Sequence, residues 1–428
     1  MSRQSMVVLG VLLLNLRPVG AADWLGFRGP NGKGISEETQ LVTTWSETEN
    51  LAWKRALPGP GSSSPIVSGD RVFVTCYSGY GVDKRNPGEP KNLKRHLLCL
   101  NASDGAVLWE KTVEATLPED PYRGYISEHG YASSTPVSDG QRVYVFFGKS
   151  GVLAFDFEGN QLWQRALGTE SSNRRWGSAA SPILYEDLLI VNASEESRTL
   201  IALDRLTGQE VWKVEADKTE LSFATPVIAT LPDGRKELVL AVPSEVWAFE
   251  PLTGELNWYA RTSLGGNISP TPLADGGMLY IFGGFPSTEA VALRAGGADD
   301  VTDTHIVWTS RDASYVPSPV VHEGNLYWVS DRGRAFCAEA KTGKVLYEEK
   351  LPLKGGKPVY ASVVLADGKL YAVSRTGGVF VLAAKPQFEQ LAHNRFASDD
   401  SDFNASPAVS DGRLFLRSNL LLYCVAAR

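Results

Sequence analysis

Five histidines, four cysteines and two tight acidic clusters are the residues through which this chain could do chemistry, and none falls into a familiar reactive spacing. His96, His129, His305, His322 and His393 lack the short paired intervals of a zinc site. Asp299-Asp300…Asp303 and Asp399-Asp400…Asp402 lack the alternating ligands and central glycine of a calcium loop, so they read as surface loops. No metal site is expected. Cys76, Cys99, Cys337 and Cys424 are too few for a disulfide framework, although Cys76 and Cys99 could share one bridge in an oxidising compartment. His129, between Glu128 and Tyr131, is the one candidate base, and Glu128 with Asp402 is a candidate carboxylate pair for a hydrolase. No spacing singles these out, and catalytic residues stay unassigned.

The elements that would position such groups announce themselves through an internal repeat. A Ser/Thr-Pro pair recurs at Ser64, Thr135, Ser181, Thr225, Thr271, Ser318 and Ser406, and Ser362 stands in register without its proline. The successive intervals are 71, 46, 44, 46, 47, 44 and 44 residues, the first carrying an insert over residues 79–95. Each period holds an apolar run, a turn such as Asp139-Gly140 or Asp411-Gly412, a β-rich run such as Arg142-Val143-Tyr144-Val145-Phe146, and a third run like Leu200-Ile201-Ala202-Leu203-Asp204. Asp-Gly between two apolar runs marks a two-residue hairpin. Thr207-Gly208 then turns into a fourth strand carrying Trp212. Four antiparallel strands per period of about 45 residues make a propeller blade. The expected fold is therefore all-β, an eight-bladed β-propeller of four-stranded antiparallel blades.

The pattern Ala202-x-Asp204-x-x-Thr207-Gly208-x-x-x-Trp212 has copies at Ala248…Trp258 and Cys337…Tyr347, with looser ones at Cys99…Trp109, Ala154…Trp163 and Ala292…Trp308. Cys99, Cys337 and Cys424 share the position of Ala202 and Ala248, so they read as small core residues. Trp53, Trp109, Trp163, Trp212, Trp258, Trp308 and Tyr347 read as blade-docking side chains, each large ring contributing about 2–3 kcal/mol of burial. The last repeat has three strands, and residues 51–54 look like a fourth strand lacking a third; this N-terminal strand is expected to complete the C-terminal blade.

Segments running from each Trp strand into the next Ser/Thr-Pro strand gather around the axis of one face. They contain His129, Tyr131, Arg174, Arg175, Trp176, Asn267, Tyr315, Tyr360 and Asn404, which suit a polar or planar ligand in an axial funnel. The insert over 79–95, with Asp83, Lys84, Arg85, Lys91, Lys94 and Arg95, reads as a projecting solvated loop whose basic charge could dock an acidic partner.

Over residues 45–428 this motif resembles the pyrroloquinoline-quinone (PQQ)-type repeat. The resemblance implies two functions. Some such propellers are binding or scaffolding proteins of outer-membrane protein assembly. Others are quinoprotein dehydrogenases that hold PQQ and calcium on the axis and use an Asp as base. Among the residues that such enzymes carry, this chain lacks a Cys-Cys pair, a Cys-x-x-Cys-His haem site and a calcium-ligand set. The non-catalytic binding reading is therefore preferred and no cofactor is expected; a PQQ- and calcium-dependent oxidoreductase is the alternative.

The chain ends and charge frame these readings. Arg3, an apolar run over 6–16 and small residues at 19–22 read as a cleavable export leader, residues 1–22. No cysteine follows that run, so no lipid anchor is expected, and the protein is placed in the periplasm or outside the cell. Residues 23–44 form a lead-in expected to pack on the propeller, which occupies 45–428. No later stretch suits a transmembrane helix. Losing Arg3 and Arg17 takes the net charge from −7 to −9, which disfavours nucleic acid. The expected partner is an envelope or secreted protein, or a small polar ligand, and the expected state is a monomer.

Overall fold

The computed structural model describes residues 23–353 and 358–427; the expected leader lies outside them. Eight antiparallel sheets of four repeat strands follow one another around an axis. Blade 3 is representative, with Ile183–Tyr185, Leu188–Ala193, Thr199–Asp204 and Glu210–Glu215 running from the axis outward. Its second strand is buried along its whole length, whereas its outermost strand exposes alternate residues. The middle strands face a neighbouring blade on both sides, so they are apolar throughout rather than alternating. The core is accordingly divided among inter-blade wedges; Leu188, Ile190 and Ala202 of blade 3, for example, meet Leu238, Leu240 and Phe249 of blade 4.

The first hairpins of blades 6, 7 and 8 turn through Glu323-Gly324, Asp367-Gly368 and Asp411-Gly412, with φ positive at both residues of each pair. This is the twist that a two-residue hairpin requires. The Thr-Gly turn near the outer edge has a second duty. Each Trp lies against the corresponding turn of the next blade, and its indole N–H donates to a carbonyl there: Trp53 to Ala102, Trp163 to Arg205, Trp212 to Pro251 and Trp308 to Ala340, at 2.9 to 3.1 Å. A Cβ on Gly105, Gly208, Gly254 or Gly343 would approach the incoming indole to 2.5–2.7 Å. Trp109 docks likewise on Phe157, and Tyr347 meets Phe388 at 5.6 Å. Trp258 differs, because the insert in blade 5 displaces the turn. Its N–H goes to the buried carboxylate of Glu237 at 3.0 Å, which also accepts the Gly296 amide.

Near the axis the repeat hydroxyls form a ring. The backbone N–H of Ser64 donates to Thr135 Oγ1, Thr135 to Ser181, Ser181 to Thr225, Thr271 to Ser318, Ser318 to Ser362, Ser362 to Ser406, and Ser406 back to Ser64, at 2.9 to 3.1 Å. Seven of eight joints are thus made the same way. At the eighth, between blades 4 and 5, the incoming segments pair backbone to backbone through Phe223 N to Ile268 O (2.7 Å) and Ile268 N to Leu221 O (3.1 Å), and Thr271 Oγ1 is left without a partner. Ser362 keeps its place in the ring without a proline. The hydroxyl, rather than the proline, makes the joint.

Leu51–Ala56 pairs antiparallel with Leu421–Ala426, so the chain's own N-terminal strand completes blade 8. Before that strand, the lead-in crosses the opposite face of the disc. Trp24 bridges Val67, the Leu25 carbonyl accepts the Ser138 amide, and Ile35–Ser36 adds a parallel strand to blade 7. Arg28, buried, donates to the carbonyls of Gly32, Lys33, Ser318 and Pro319.

Two readings are refined here. Cys76 and Cys99 are free and buried, as are Cys337 and Cys424. Cys76 faces His96 across the strand pair and Cys99 faces Phe73, so the two sulfurs stand on opposite sides of one sheet. The insert over 79–95 does not simply project into solvent: Tyr80 packs between Tyr122 and Tyr131, and Arg95 is buried against Glu119 at 2.7 Å. Lys84, Lys91 and Lys94 each pair with an acid, so its positive charge is largely answered internally. Of the two acidic clusters, Asp299–Asp300 adds a short parallel strand to blade 4, while Asp402 joins the axial site.

Candidate functional site

The segments entering each innermost strand are extended, so a residue two places before each ring hydroxyl points the same way. These positions hold Ser62, Ser133, Ala179, Phe223, Ser269, Val316, Tyr360 and Asn404, and all eight line one axial cavity of about 160 Å³. Beneath them the cavity reaches seven ring hydroxyls, with Thr135 set back. Phe27, from the lead-in on the opposite face, also lines it. Above, Tyr125, Glu128, His129, Trp176, Asn267 and Tyr315 form the mouth. Each blade thus contributes through the same register position, an arrangement that the 44–47-residue period dictates.

Of the candidate ligand residues, His129, Trp176, Asn267, Tyr315, Tyr360 and Asn404 line this cavity. Tyr131 does not; its ring turns into the cluster of Tyr77, Tyr80 and Tyr122, and its hydroxyl donates to the Asp120 carbonyl at 2.7 Å. Arg174 lies outside on solvent, 5.7 Å from the Trp176 ring, and Arg175 is exposed at a left-handed turn. Two important residues carry no sign in the Trp-to-Ser/Thr segments. Arg375 comes from the hairpin between the second and third strands of blade 7, and Phe27 from the non-repeating lead-in.

Arg375 organises the mouth. It lies 4.7 Å over the Tyr360 ring, bonds Glu128 at 2.8 Å and Asp402 at 2.6 Å, while Lys84 reaches Glu128 at 3.5 Å. Burial alone would raise the Glu128 pKa, but Arg375 and then Lys84 outweigh it and hold the group below the usual carboxylate range. The two carboxylates considered as a hydrolytic pair do converge, on one guanidinium. Glu128 is held ionised, which is the wrong state for a general acid.

His129 ends the short helix Ile126–His129. Its Nδ1 lies 2.5 Å from Ser133 Oγ and its Nε2 lies 2.9 Å from the Trp176 carbonyl, so Nε2 carries the proton and donates. Burial lowers its pKa to about 4, so the ring is neutral at ordinary pH. The Ser133–His129 contact has the shape of a nucleophile–base pair. A base that weak takes a serine proton with little driving force. Asn267 and Tyr315 bond each other, and Asn404 donates to the Glu128 carbonyl at 3.1 Å.

PQQ is a planar tricarboxylate and calcium takes six to eight oxygen ligands, several from carboxylates. Among the described residues the cavity lining has no lysine or arginine, and the one carboxylate among them, Glu128, is committed to Arg375 and Lys84. These residues do not fit that pair. Among the described residues there is no group of three metal-binding side chains, and no helix long and apolar enough to cross a membrane.

Four similarities bear on this geometry. A family model described as outer membrane protein assembly factor BamB matches residues 92–282 and 297–390. A tetrathionate hydrolase of Acidithiobacillus ferrooxidans is 21% identical over 384 residues, covering 79% of this chain and 68% of that protein. An outer membrane protein assembly factor BamB of Nitrosomonas eutropha is 24% identical over 237 residues, 44% of this chain and only 54% of its own length. In three dimensions, BamB of Moraxella catarrhalis superposes with a TM-score of 0.62 at 16% identity, covering 88% of this chain and 97% of that one. At that identity the last likeness concerns the fold.

Proposed function

This chain belongs to the family described as outer membrane protein assembly factor BamB, and from that membership we propose that it is a non-catalytic binding or scaffolding propeller of the cell envelope that recognises its ligand or partner through the funnel face. One observation carries the reading: all eight blades deliver a side chain from the same register position to a single axial cavity. The titratable and amide side chains at its mouth are already spoken for. Glu128 is tied to Arg375, His129 uses both ring nitrogens, and Asn267 is bonded to Tyr315. Such a lining holds shape and offers contacts; it has little freedom to move protons.

Within this reading the mature protein follows an export leader, works outside the cytoplasm, and needs no cofactor. His129, Trp176, Asn267, Tyr315, Tyr360 and Asn404 shape the site, while exposed Arg174 and Arg175 belong to the surrounding rim. Site-specific photo-cross-linking in whole cells tests the face. A cross-linker at Arg174, on the funnel rim, is expected to capture a discrete envelope protein, and one at Leu162, on an exposed outer strand, is expected not to. Equal capture from both sites, or capture from Leu162 alone, overturns the proposal. Adding PQQ with calcium is expected to leave the melting temperature unchanged; saturable stabilisation would restore the dehydrogenase reading.

A further inference from the structure

We propose that the axial cavity takes one uncharged, polyhydroxylated ring, the size of a single sugar or cyclitol unit, held between aromatic walls over the ring of serine and threonine hydroxyls. The inference rests on reading the funnel as a binding site and adds the chemical class of its occupant.

Charge comes first. Glu128 and Asp402 are balanced at the mouth by Arg375 and Lys84, and His129 is neutral. A full charge inside would lose its hydration and meet no unpaired counter-charge among the described residues, so ions of either sign are disfavoured. Size is the second constraint. A cavity of about 160 Å³ is close to the roughly 150 Å³ that holds one benzene ring. Third, Tyr125, Trp176, Phe223 and Tyr360 supply the apolar faces against which a ring can lie.

The floor then distinguishes a polyol from a purely aromatic guest. Ser64, Ser181, Thr225, Ser318, Ser362 and Ser406 each receive a backbone N–H at the oxygen. Each hydroxyl proton is therefore still available to donate, and among the described residues no acceptor is bonded to it. Donors set around a circle match a guest with several oxygens on its perimeter, whereas a phenol offers one. Phe27, from the lead-in on the opposite face, lines the far end, and the mouth residues open on the funnel face, the side from which a guest enters. A free monosaccharide fits it, as does the terminal unit of a glycan; an internal unit does not.

The test uses the full chain and saturation-transfer NMR. The polyol probes are glucose, N-acetylglucosamine and myo-inositol, with chitotriose to separate a terminal unit from a free sugar. Tetramethylammonium, methanesulfonate and phenol are the comparators. Saturable transfer to at least one polyol is expected, weakened about tenfold or more by Trp176→Leu at unchanged melting temperature, since a lost stacking contact and its burial together exceed about 1.4 kcal/mol. Tyr360→Leu serves the same purpose if Trp176→Leu unfolds. Transfer confined to the terminal residue of chitotriose assigns a glycan end, and transfer to monosaccharides alone assigns a free sugar. Binding of a comparator in place of every polyol overturns the inference and leaves the binding-site reading standing. Silence from all probes overturns the inference and removes the small-ligand half of that reading, while the cross-linking result still decides the partner half.

Discussion

Thr225 and Thr271 offer a matched experiment on what joins the blades. They occupy the same ring position in adjacent blades and are both buried. Thr225 Oγ1 accepts the Ser181 amide at 3.0 Å, whereas Thr271 Oγ1 has no partner. Thr225→Val removes an acceptor at nearly constant shape and strands a buried N–H, which costs about 1–3 kcal/mol. Thr271→Val removes a hydroxyl that is itself unsatisfied, so its cost is expected to lie near zero or to be negative. The two variants should therefore differ by about 2 kcal/mol. Unfolding entropy of about 2.1 cal/mol/K per residue over about 400 residues gives roughly 0.8 kcal/mol/K, so the gap appears as about 2–3 °C in Tm. Calorimetry under identical buffer resolves it, and urea midpoints provide the independent check. Equal losses in the two variants, or the larger loss in Thr271→Val, would refute the idea that hydroxyl-to-amide bonds join the inner strands.

Three further outcomes follow from the same contacts. Gly254→Ala places a Cβ 2.6 Å from the Trp212 ring at φ +72°, and Gly324→Ala meets nothing within 4 Å at φ +76°; about 3–4 kcal/mol is expected for the first and about 1–2 kcal/mol for the second, read by denaturant unfolding. Arg28→Ala strips the lead-in of bonds to four carbonyls, so limited proteolysis should cut within residues 23–50 while the ring survives, and Arg28→Lys should rescue poorly because an ammonium cannot fork between them. Burial raises Glu195 to about 8 and Glu196 to about 7, so the folded state holds protons that the unfolded chain releases near 4.5. Stability from these groups is complete below about pH 4.5 and is lost as pH rises through 7–8; the joint Glu195→Gln, Glu196→Gln variant should flatten the fall in Tm across that window.

The blade count, the indole contacts and the closing strand were legible because each follows from a period that the chain repeats. The eight positions lining the cavity were legible in principle too, since parity in an extended segment carries Tyr360 and Asn404 to the side of Ser362 and Ser406. Parity fails where a segment is not extended. Tyr131 follows the short helix Ile126–His129, which turns its ring away into a tyrosine cluster, and Arg174 and Arg175 precede a left-handed bend. Arg375 escaped notice because a hairpin inside one blade breaks no repeat, and Phe27 because the lead-in has no copies to compare. Its path across the opposite face is set by contacts such as Arg28 to Ser318 and Pro319, nearly 300 residues away in sequence. Such distant pairings leave no periodic trace.

The pairing of Leu51–Ala56 with Leu421–Ala426 makes order of synthesis matter. A chain made from its N-terminus exposes this early strand throughout the assembly of seven blades, and its mate is finished last. Bringing ends some 370 residues apart together costs about 5 kcal/mol of chain entropy, offset only when the final sheet zips. Until then both outer edges of the unfinished arc are open to other strands. A stacked solenoid can lose a terminal repeat and keep the rest; here dropping one blade breaks the circle everywhere, so viability comes in whole rings.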